Sequence, residues 1–330
     1  MSAQKSGSLS ATALAHPNIA FIKYWGNQDD DLRLPASSSL SMNLGDLTTR
    51  TAVQFDPSLE QDLLLLNGQT ARSDQLQRVA HFLDLVRLLA GTQTKAHVAS
   101  ESNFPSGAGI ASSSSAFAAL ALAASTAAGL SLDEPALSRL ARRGSGSAAR
   151  SVPGGYVEWR ASDRDTNSFG FSIASPEHWA LVDCIAIVSE GHKAVGSSSG
   201  HSLAASSPLQ AARLAGAEQR LELCRQAILE RDFAALANLV EEDCHLMHAV
   251  MMTSRPRLNY WLPASLAIMH AVRAWRDAGL SACYTLDAGP NVHVLCPAGE
   301  ADTVTARLVQ IPGVLRVLKS KPGGPAHLVV

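Results

Sequence analysis

Apolar residues recur along this chain in two rhythms, and each change of rhythm marks an element. Residues 12–25, T-A-L-A-H-P-N-I-A-F-I-K-Y-W, predict a strand, a break at Pro17 and a second short apolar segment. Gly26 and the acidic run 29–31 predict a turn, after which Leu34-Pro35 leads into the serine cluster 37–41. Residues 49–55 and 62–66 read as paired strands. Asn67-Gly68 reads as a hairpin turn for this pair or a later one. Residues 75–89 place Val79, Phe82, Leu85, Val86 and Leu89 on one face of a helix, and 95–100 return to a strand. The stretch 103–129, N-F-P-S-G-A-G-I-A-S-S-S-S-A-F-A-A-L-A-L-A-A-S-T-A-A-G, then passes from a Gly/Ser loop into an Ala/Leu helix that Gly129 stops.

Asp133 and Pro135 open a further helix, which Gly144 ends with Arg142 and Arg143 in its last turn. Residues 154–159 and 180–188 read as strands, 161–170 as a polar surface loop and 191–207 as a long Ser/Gly-rich loop. The second half is helical first, at 208–230, 233–247 and 263–278. Strands at 282–286 and 292–296, a helix at 301–310 and a strand at 314–319 follow. Helices on one side of an antiparallel sheet predict an α+β fold. At 330 residues the chain exceeds one ordinary domain, and the long loop divides it into 1–190 and 191–330.

Composition narrows the function classes. Hydrophobic residues make up 46% and charged residues 17%, as in a globular protein with a large core. A net charge of −2 without long charge runs argues against nucleic acid or an anionic membrane as partner. The five cysteines are scattered without a C-x-x-C pair, which predicts reduced, mostly buried thiols in a cytoplasmic protein. The first ten residues lack the apolar core of a signal peptide, and no stretch is apolar for the length needed to span a bilayer.

The candidate chemistry lies in a few short stretches. Pro105, Gly107 and Gly109 precede Ser112 and Ser113 at the start of the Ala/Leu helix. Bare backbone and unpaired first-turn N–H groups there suit a phosphate, or simply a flexible loop before a buried helix. The P-loop pattern G-x-x-x-x-G-K-[ST] is absent from the chain. Lys23 and Tyr24 sit inside an apolar segment, either as functional groups or snorkelling to the surface. Small residues from Gly144 through Ser145, Gly146 and Ser147 lead to Arg150. That arrangement suits a carboxylate or phosphate pocket, or a helix cap followed by a surface arginine. Asp287 and Ala288 stand at a strand end among small residues, either as a held carboxylate that admits a substrate or as an acidic turn residue. The G-x-S-x-G match at Ser198, with Asp287 and His293 downstream, lacks the strand a nucleophile elbow needs immediately before it. His245 and His248 have metal-ligand spacing but no third ligand.

Five stretches together resemble the mevalonate diphosphate decarboxylase family of the GHMP kinase superfamily. They are N-I-A-F-I-K-Y-W-G at 18–26, N-F-P-S-G-A-G-I-A-S-S at 103–113, R-G-S-G-S-A-A-R-S at 143–151, G-G-Y-V-E-W at 154–159 and Y-T-L-D-A-G-P-N at 284–291. The resemblance implies a two-domain α+β fold with the active site in the inter-domain cleft, in a cytoplasmic homodimer. It also implies ATP- and Mg2+-dependent decarboxylation of a 5-phosphorylated mevalonate in isoprenoid synthesis, with no protein ligand for the metal assigned. By position it implies that Asp287 activates the 3-hydroxyl, Arg150 binds the carboxylate and Lys23 lies near the reacting centre. Ala20, Tyr24, Ser145, Gly146, Ser147, Ser197 and Ala288 would contact substrate. Pro105, Gly107, Gly109, Ser112 and Ser113 would contact ATP. The chain departs from the family pattern at Asn27 for the last lysine of K-Y-W-G-K, at Ser37 for an asparagine, at His201 for a methionine and at A-H-P for A-P-V. Asn27 and the A-H-P entry also resemble the phosphomevalonate decarboxylase branch. They direct the expectation to the 5-monophosphate, with the 5-diphosphate as alternative should Arg33 or Lys193 supply the second cation from elsewhere. A mevalonate 3-kinase and a non-catalytic ligand-binding regulator remain as rival readings.

Overall fold

The computed structural model describes residues 10–105, 112–191 and 196–329. β1 (Ser10–Ala15) and β2 (Asn18–Ile22) are separated at Pro17, which has no N–H to give a ladder. The acidic run turns between β3 (Asn27–Asp29) and β4 (Leu34–Pro35), and the serine cluster forms β5 (Ser39–Asn43). β6 (Thr49–Phe55) buries alternate residues, as a strand with one solvated face must. β7 (Leu63–Leu66) and β8 (Gln69–Thr70) form the Asn67-Gly68 hairpin, both turn residues taking positive φ (48° and 75°). α1 (Ser73–Ala90), β9 (Ala96–Ser102) and α2 (Ser112–Ala127) follow. α3 (Glu134–Gly144) is capped by Asp133, whose carboxylate accepts from the Ala136 N–H at 2.8 Å. β10 (Tyr156–Trp159), β11 (Gly170–Ala174) and β12 (Leu181–Ile187) lead into the helical region. That region comprises α4 (Ser197–Leu203), α5 (Gln210–Ala215), α6 (Ala217–Glu230), α7 (Phe233–Thr253) and α8 (Pro263–Asp277). The chain closes with β13 (Cys283–Thr285), β14 (Val292–Pro297), α9 (Ala301–Leu308), β15 (Arg316–Ser320) and β16 (His327–Leu328).

Three sheets organise these elements. A six-stranded sheet has the order β16-β1-β6-β9-β7-β8, a four-stranded sheet β11-β10-β5-β2, and a second four-stranded sheet β13-β14-β12-β15. α2 lies against β1 and β6, with Ala118, Ala119, Ala121, Ala123 and Ala124 fully buried. Methyl side chains let this helix approach the sheet closely, which is why it reads as alanine rather than leucine throughout. β2 is the edge of its sheet and faces α6 and α7. That edge delivers the chain into the site described below.

Several sequence expectations change. β6 and β7 do not pair with each other: β9 lies between them, antiparallel to β6 and parallel to β7. A parallel pair needs a crossover, which α1 supplies, and local hydrophobic pattern cannot reveal it. Leu89 is 57% exposed, so the buried face of α1 is narrower and centres on Phe82, Leu83 and Val86. The serine-rich loop at 191–207 contains α4, the helix expected at 208–230 breaks at Gly216, and β11 follows the polar loop unannounced. All five cysteines are buried and unpaired. No described helix is long and apolar enough to cross a membrane.

The final strand returns to the first sheet. β16 pairs with β1, and the segment before it exchanges backbone hydrogen bonds with Asn43, Gly45, Val152 and Gly155. Gly323 crosses Gly45 so closely that a Cβ on Gly323 would stand 2.7 Å from the Gly45 backbone. We therefore expect Gly323→Ala to destabilise the fold by about 1–3 kcal/mol, the usual cost of overpacking. Gly324→Ala, whose Cβ would meet nothing within 4 Å, serves as the near-neutral control. Equilibrium denaturation of the two variants checks this, and equal midpoints would show that the crossing relaxes.

Candidate active site

The strand β2 ends at Ile22, and the next side chain is an ammonium group buried to 1% exposure. Lys23 does not snorkel: its Nζ donates to Asp287 Oδ1 at 2.7 Å. Asp287 follows β13 in a turn of small residues, and its side chain retains 26% exposure. Burial pushes the Asp287 carboxyl up, but Lys23, His293 and Arg150 together outweigh it, and the net shift is downward. The group is therefore an anion at neutral pH. His248 lies nearby, and burial together with the Lys23 charge pushes its imidazole down to about 3, so it stays neutral.

Arg150 belongs to a 3-10 turn, Gly146–Ser151, and is 2% exposed. Its guanidinium donates to Ser41 Oγ at 3.0 Å, Ser39 Oγ at 2.6 Å and Asn18 Oδ1 at 3.1 Å. Asn18 is held in turn by donating to Ser147 O at 3.1 Å and Ser151 Oγ at 2.7 Å. All three acceptors are neutral, and among the described residues Arg150 makes no ion pair. Burial pushes its guanidinium down to about 10, with Asp287 and Tyr24 pulling the other way, so it remains charged at neutral pH. A buried cation with neutral partners is a receptor for an anion, because an uncompensated charge is costly until one arrives.

Tyr24 stacks on His201 at 4.0 Å and packs against Trp159 at 4.8 Å. A Cβ on Gly146 would stand 2.5 Å from the Tyr24 hydroxyl, so the glycine is what lets this ring lie on the turn. Tyr24 donates to Asn27 Oδ1, and Asn27 Nδ2 donates to Asp30 Oδ1 at 2.7 Å, so both ends of the Asn27 amide are engaged. Burial pushes the Tyr24 hydroxyl up, opposed first by the Arg33 charge. His201 accepts the Gly26 N–H at Nδ1, 3.1 Å. The Ser145 hydroxyl lies 3.1 Å from that of Ser113 and 3.5 Å from that of Ser147, which ties this turn to the start of α2.

These groups line one cavity of about 690 Å³. Of the residues singled out by sequence, Ala20, Lys23, Tyr24, Ser112, Ser113, Ser145, Gly146, Ser147, Arg150, Asp287 and Ala288 all border it. Pro105 is described but does not line it. Gly107, Gly109 and Lys193 lie outside the described residues, and Ser197 is described only as the first residue of α4. The Ser37 and A-H-P departures do not reach the cavity. The Ser37 hydroxyl is buried with no hydrogen-bond partner among the described residues, and the His16 ring meets Leu47 O at 2.9 Å.

Sequence reading missed a second arm of the cavity, where Leu64, Leu66 and Val79 supply apolar walls and Arg72, Asp74, Gln75 and Arg78 supply polar ones. Arg33, the candidate second cation, and His201, the departure from the family methionine, both line the cavity. Arginines near a helix start and on its polar face carry no signal that separates them from ordinary surface charge. This arm adjoins Ser112 and Ser113 at the N-terminus of a 16-residue helix, so its apolar walls, cations and hydroxyls fit a nucleoside triphosphate. Among the described residues no three His, Cys, Asp or Glu side chains form a metal cage. A magnesium ion here would be held chiefly by nucleotide phosphate oxygens and water, with Asp74 and Asp287 as the carboxylates in the cavity lining.

Two other readings lapse. His293 Nδ1 pairs with Asp183 at 2.6 Å rather than with Asp287, so the hydrolase order does not assemble. His245 meets the Tyr284 hydroxyl at 2.9 Å and His248 lies 3.4 Å from Leu286 O, each separately engaged.

Comparison with known proteins agrees with this geometry. Residues 15–170 match the diphosphomevalonate decarboxylase-like N-terminal domain, and 184–319 the mevalonate 5-diphosphate decarboxylase C-terminal domain. The chain is 38% identical to the diphosphomevalonate decarboxylase of Candida albicans, covering 92% of this chain and 90% of that one. It is 33% identical to the phosphomevalonate decarboxylase of Haloferax volcanii, covering 90% and 91%. Its fold superposes on a solved complex of MDDEF with MVAPP, AMPPCP and magnesium at a TM-score of 0.92. Identity there is 36%, over 97% of this chain and 98% of that one. With matches on both halves and relatives aligned over nine-tenths of its length, this two-domain α+β chain belongs to the mevalonate diphosphate decarboxylase family, with its GHMP-kinase-like fold.

Proposed function

We propose that this protein is an ATP-dependent carboxy-lyase acting on a 5-phosphorylated mevalonate. The observation that carries the reading is the meeting, in one cavity, of an ionised Asp287 paired to Lys23 and a buried Arg150 with neutral partners. The reaction needs both. A tertiary hydroxyl is a poor leaving group, and ATP with magnesium supplies the phosphoryl group that makes it a good one. Asp287, kept anionic by Lys23, accepts the hydrogen bond of the 3-hydroxyl and takes its proton as the oxygen is phosphorylated. Arg150 holds the substrate carboxylate in its fork and, being permanently charged, cannot neutralise it by giving up a proton. Once the phosphate departs, the C–C electrons of the fixed carboxylate fill the developing positive charge at C3. CO2 leaves and a double bond forms. The second arm takes the nucleotide, its apolar walls around the base and its serines toward the phosphates.

The comparisons favour the 5-diphosphate over the 5-monophosphate expected from Asn27. Relatives named for the diphosphate predominate, and the neighbouring solved complex contains MVAPP. Arg33 also supports this reading, since it lines the cavity close enough to act on Tyr24 and supplies a second cation where Asn27 has none. The monophosphate stands as the second reading because Asn27 is uncharged and tied to Asp30, and because the Haloferax volcanii relative is named for that substrate.

Asp287→Asn should keep the native fold at a lowered thermal midpoint, since it leaves the buried Lys23 unpaired, and lower kcat by about 10²–10⁴-fold, the usual loss for a positioned general base. Turnover within tenfold of wild type, with an unchanged circular dichroism spectrum, would refute the assignment.

Arg150→Ala should lower kcat far more than removal of an exposed arginine such as Arg316, 49% exposed at its side chain. Arg150→Lys should rescue poorly, because an ammonium lacks the planar fork that orients a carboxylate. Full activity in the lysine variant would remove the bidentate role.

Substrate choice is read from kcat/KM for both phosphorylated mevalonates, followed as CO2 and ADP release at saturating ATP and magnesium. A preference for the diphosphate that falls in Arg33→Ala is expected. A preference for the monophosphate, with Asn27→Lys raising relative activity on the diphosphate, would establish the second reading. ADP release without CO2 would identify a 3-kinase.

A further inference from the structure

Beyond the cavity wall, a cluster of buried charges grips the backbone of the K-Y-W turn. Because β2 is an edge strand and ends at Ile22, sheet pairing does not supply partners for the polar groups of Lys23. Side chains from two helices supply them, and a third helix braces those two. The Lys23 N–H donates to Asp243 Oδ2 of α7 at 2.6 Å, and the Lys23 carbonyl accepts from Arg213 Nη2 of α5 at 2.6 Å. Arg213 Nη1 also reaches the Trp25 carbonyl at 3.3 Å. Arg220 of α6 completes the cluster, with Nε 2.9 Å from Asp243 Oδ1 and Nη2 2.8 Å from Arg213 O. Arg213, Arg220 and Asp243 are all buried.

Neutral side chains could satisfy one N–H and one carbonyl at lower desolvation cost, so mere saturation of the edge does not account for three charges. What charge adds is stiffness. Both polar groups of a single residue are held by short charge-assisted bonds, and each anchoring side chain is itself braced by another member of the cluster. The residue so held is the one whose ammonium meets Asp287. We propose that Asp243, Arg213 and Arg220 are positioning residues for the reaction, fixing the Lys23 backbone so that Nζ stays on the Asp287 carboxylate. None of the three lines the cavity, so each acts through Lys23. The inference rests on the reading of Lys23 and Asp287 as the reacting pair.

The test uses the full-length enzyme. Arg213→Lys retains a positive charge but cannot hold the Lys23 and Trp25 carbonyls with one planar group. It should keep the wild-type circular dichroism spectrum and lower kcat by about tenfold or more, as small displacements of reacting groups do. KM for ATP and for the phosphorylated mevalonate should change by less than about threefold, since Arg150, the Ser145 turn and the second arm are untouched. The groups acting on the Asp287 carboxyl are Lys23, His293 and Arg150, against the upward push of burial. With Lys23 displaced, burial gains, the carboxyl rises, and the acidic limb of the kcat profile moves to higher pH. Lys23→Met should move that limb the same way. In the Lys23→Met background, Arg213→Lys should lower kcat by less than about twofold further, because its route is already cut. A structural role alone would lower the thermal midpoint while leaving kcat and the acidic limb unmoved, and that result overturns the proposal. So does an Arg213→Lys loss that multiplies in full on Lys23→Met. Should Arg213→Lys fail to fold, Asp243→Asn carries the same readouts. Wild-type turnover in Lys23→Met would remove the reacting-pair reading and this inference with it. An inactive Lys23→Met beside a fully active Arg213→Lys removes the positioning role alone.

Discussion

A lysine and an aspartate 264 residues apart in the chain meet at 2.7 Å, and the architecture around them follows from the cost of burying charge. An ammonium at 1% exposure is tolerable only with an anion beside it, and removing one partner of such a pair costs about 3–5 kcal/mol. The pair therefore couples the two halves: β2 brings the lysine and the turn after β13 brings the aspartate. At the end of β2, α5 and α7 supply the polar partners that the edge lacks and α6 braces them. α6 and α7 also pack against β2, so packing and charge pairing act on one seam.

Arg150 answers the same constraint in the opposite way. Its charge is surrounded by the oxygens of Ser39, Ser41 and Asn18, which orient it without neutralising it. The cavity thus contains one cation already matched to Asp287 and another left for an incoming anion. That asymmetry gives the site its polarity: under the proposed reaction the matched pair would handle the proton and the unmatched guanidinium the carboxylate.

The second arm widens what the fold can hold. Its walls come from β7, β9 and α1, elements joined by a parallel crossover. They bring apolar Leu64, Leu66 and Val79 beside the serines that begin α2. The α2 helix is the common floor of both arms. Its alanines let it sit close to β1 and β6, and its first turn faces the Ser145 turn that leads to Arg150.

The sequence determined most of the local structure and most of the substrate arm. Strands at 49–55 and 292–296, the Asn67-Gly68 turn, the Asp133 cap and the α2 helix follow from alternation, positive-φ turn residues, capping chemistry and small-residue packing, all properties of neighbouring residues. Lys23, Arg150 and Asp287 each had a surface reading beside a functional one in the sequence, and it was the family resemblance that singled them out; the structure brings all three to one cavity. Tertiary structure alone decided what depends on distant partners. The insertion of β9 between β6 and β7, the return of β16 to β1, the second arm of the cavity around Arg72 and Arg78, and the Asp243–Arg213–Arg220 cluster have no local periodicity. A helix-face arginine reads the same whether it meets water or a buried carbonyl. The Asn27 position shows the limit most directly: the residue carries no charge and does not itself line the cavity, while the fold brings Arg33 to the cavity wall. Net charge at a site is a sum over space, and sequence order does not give that sum.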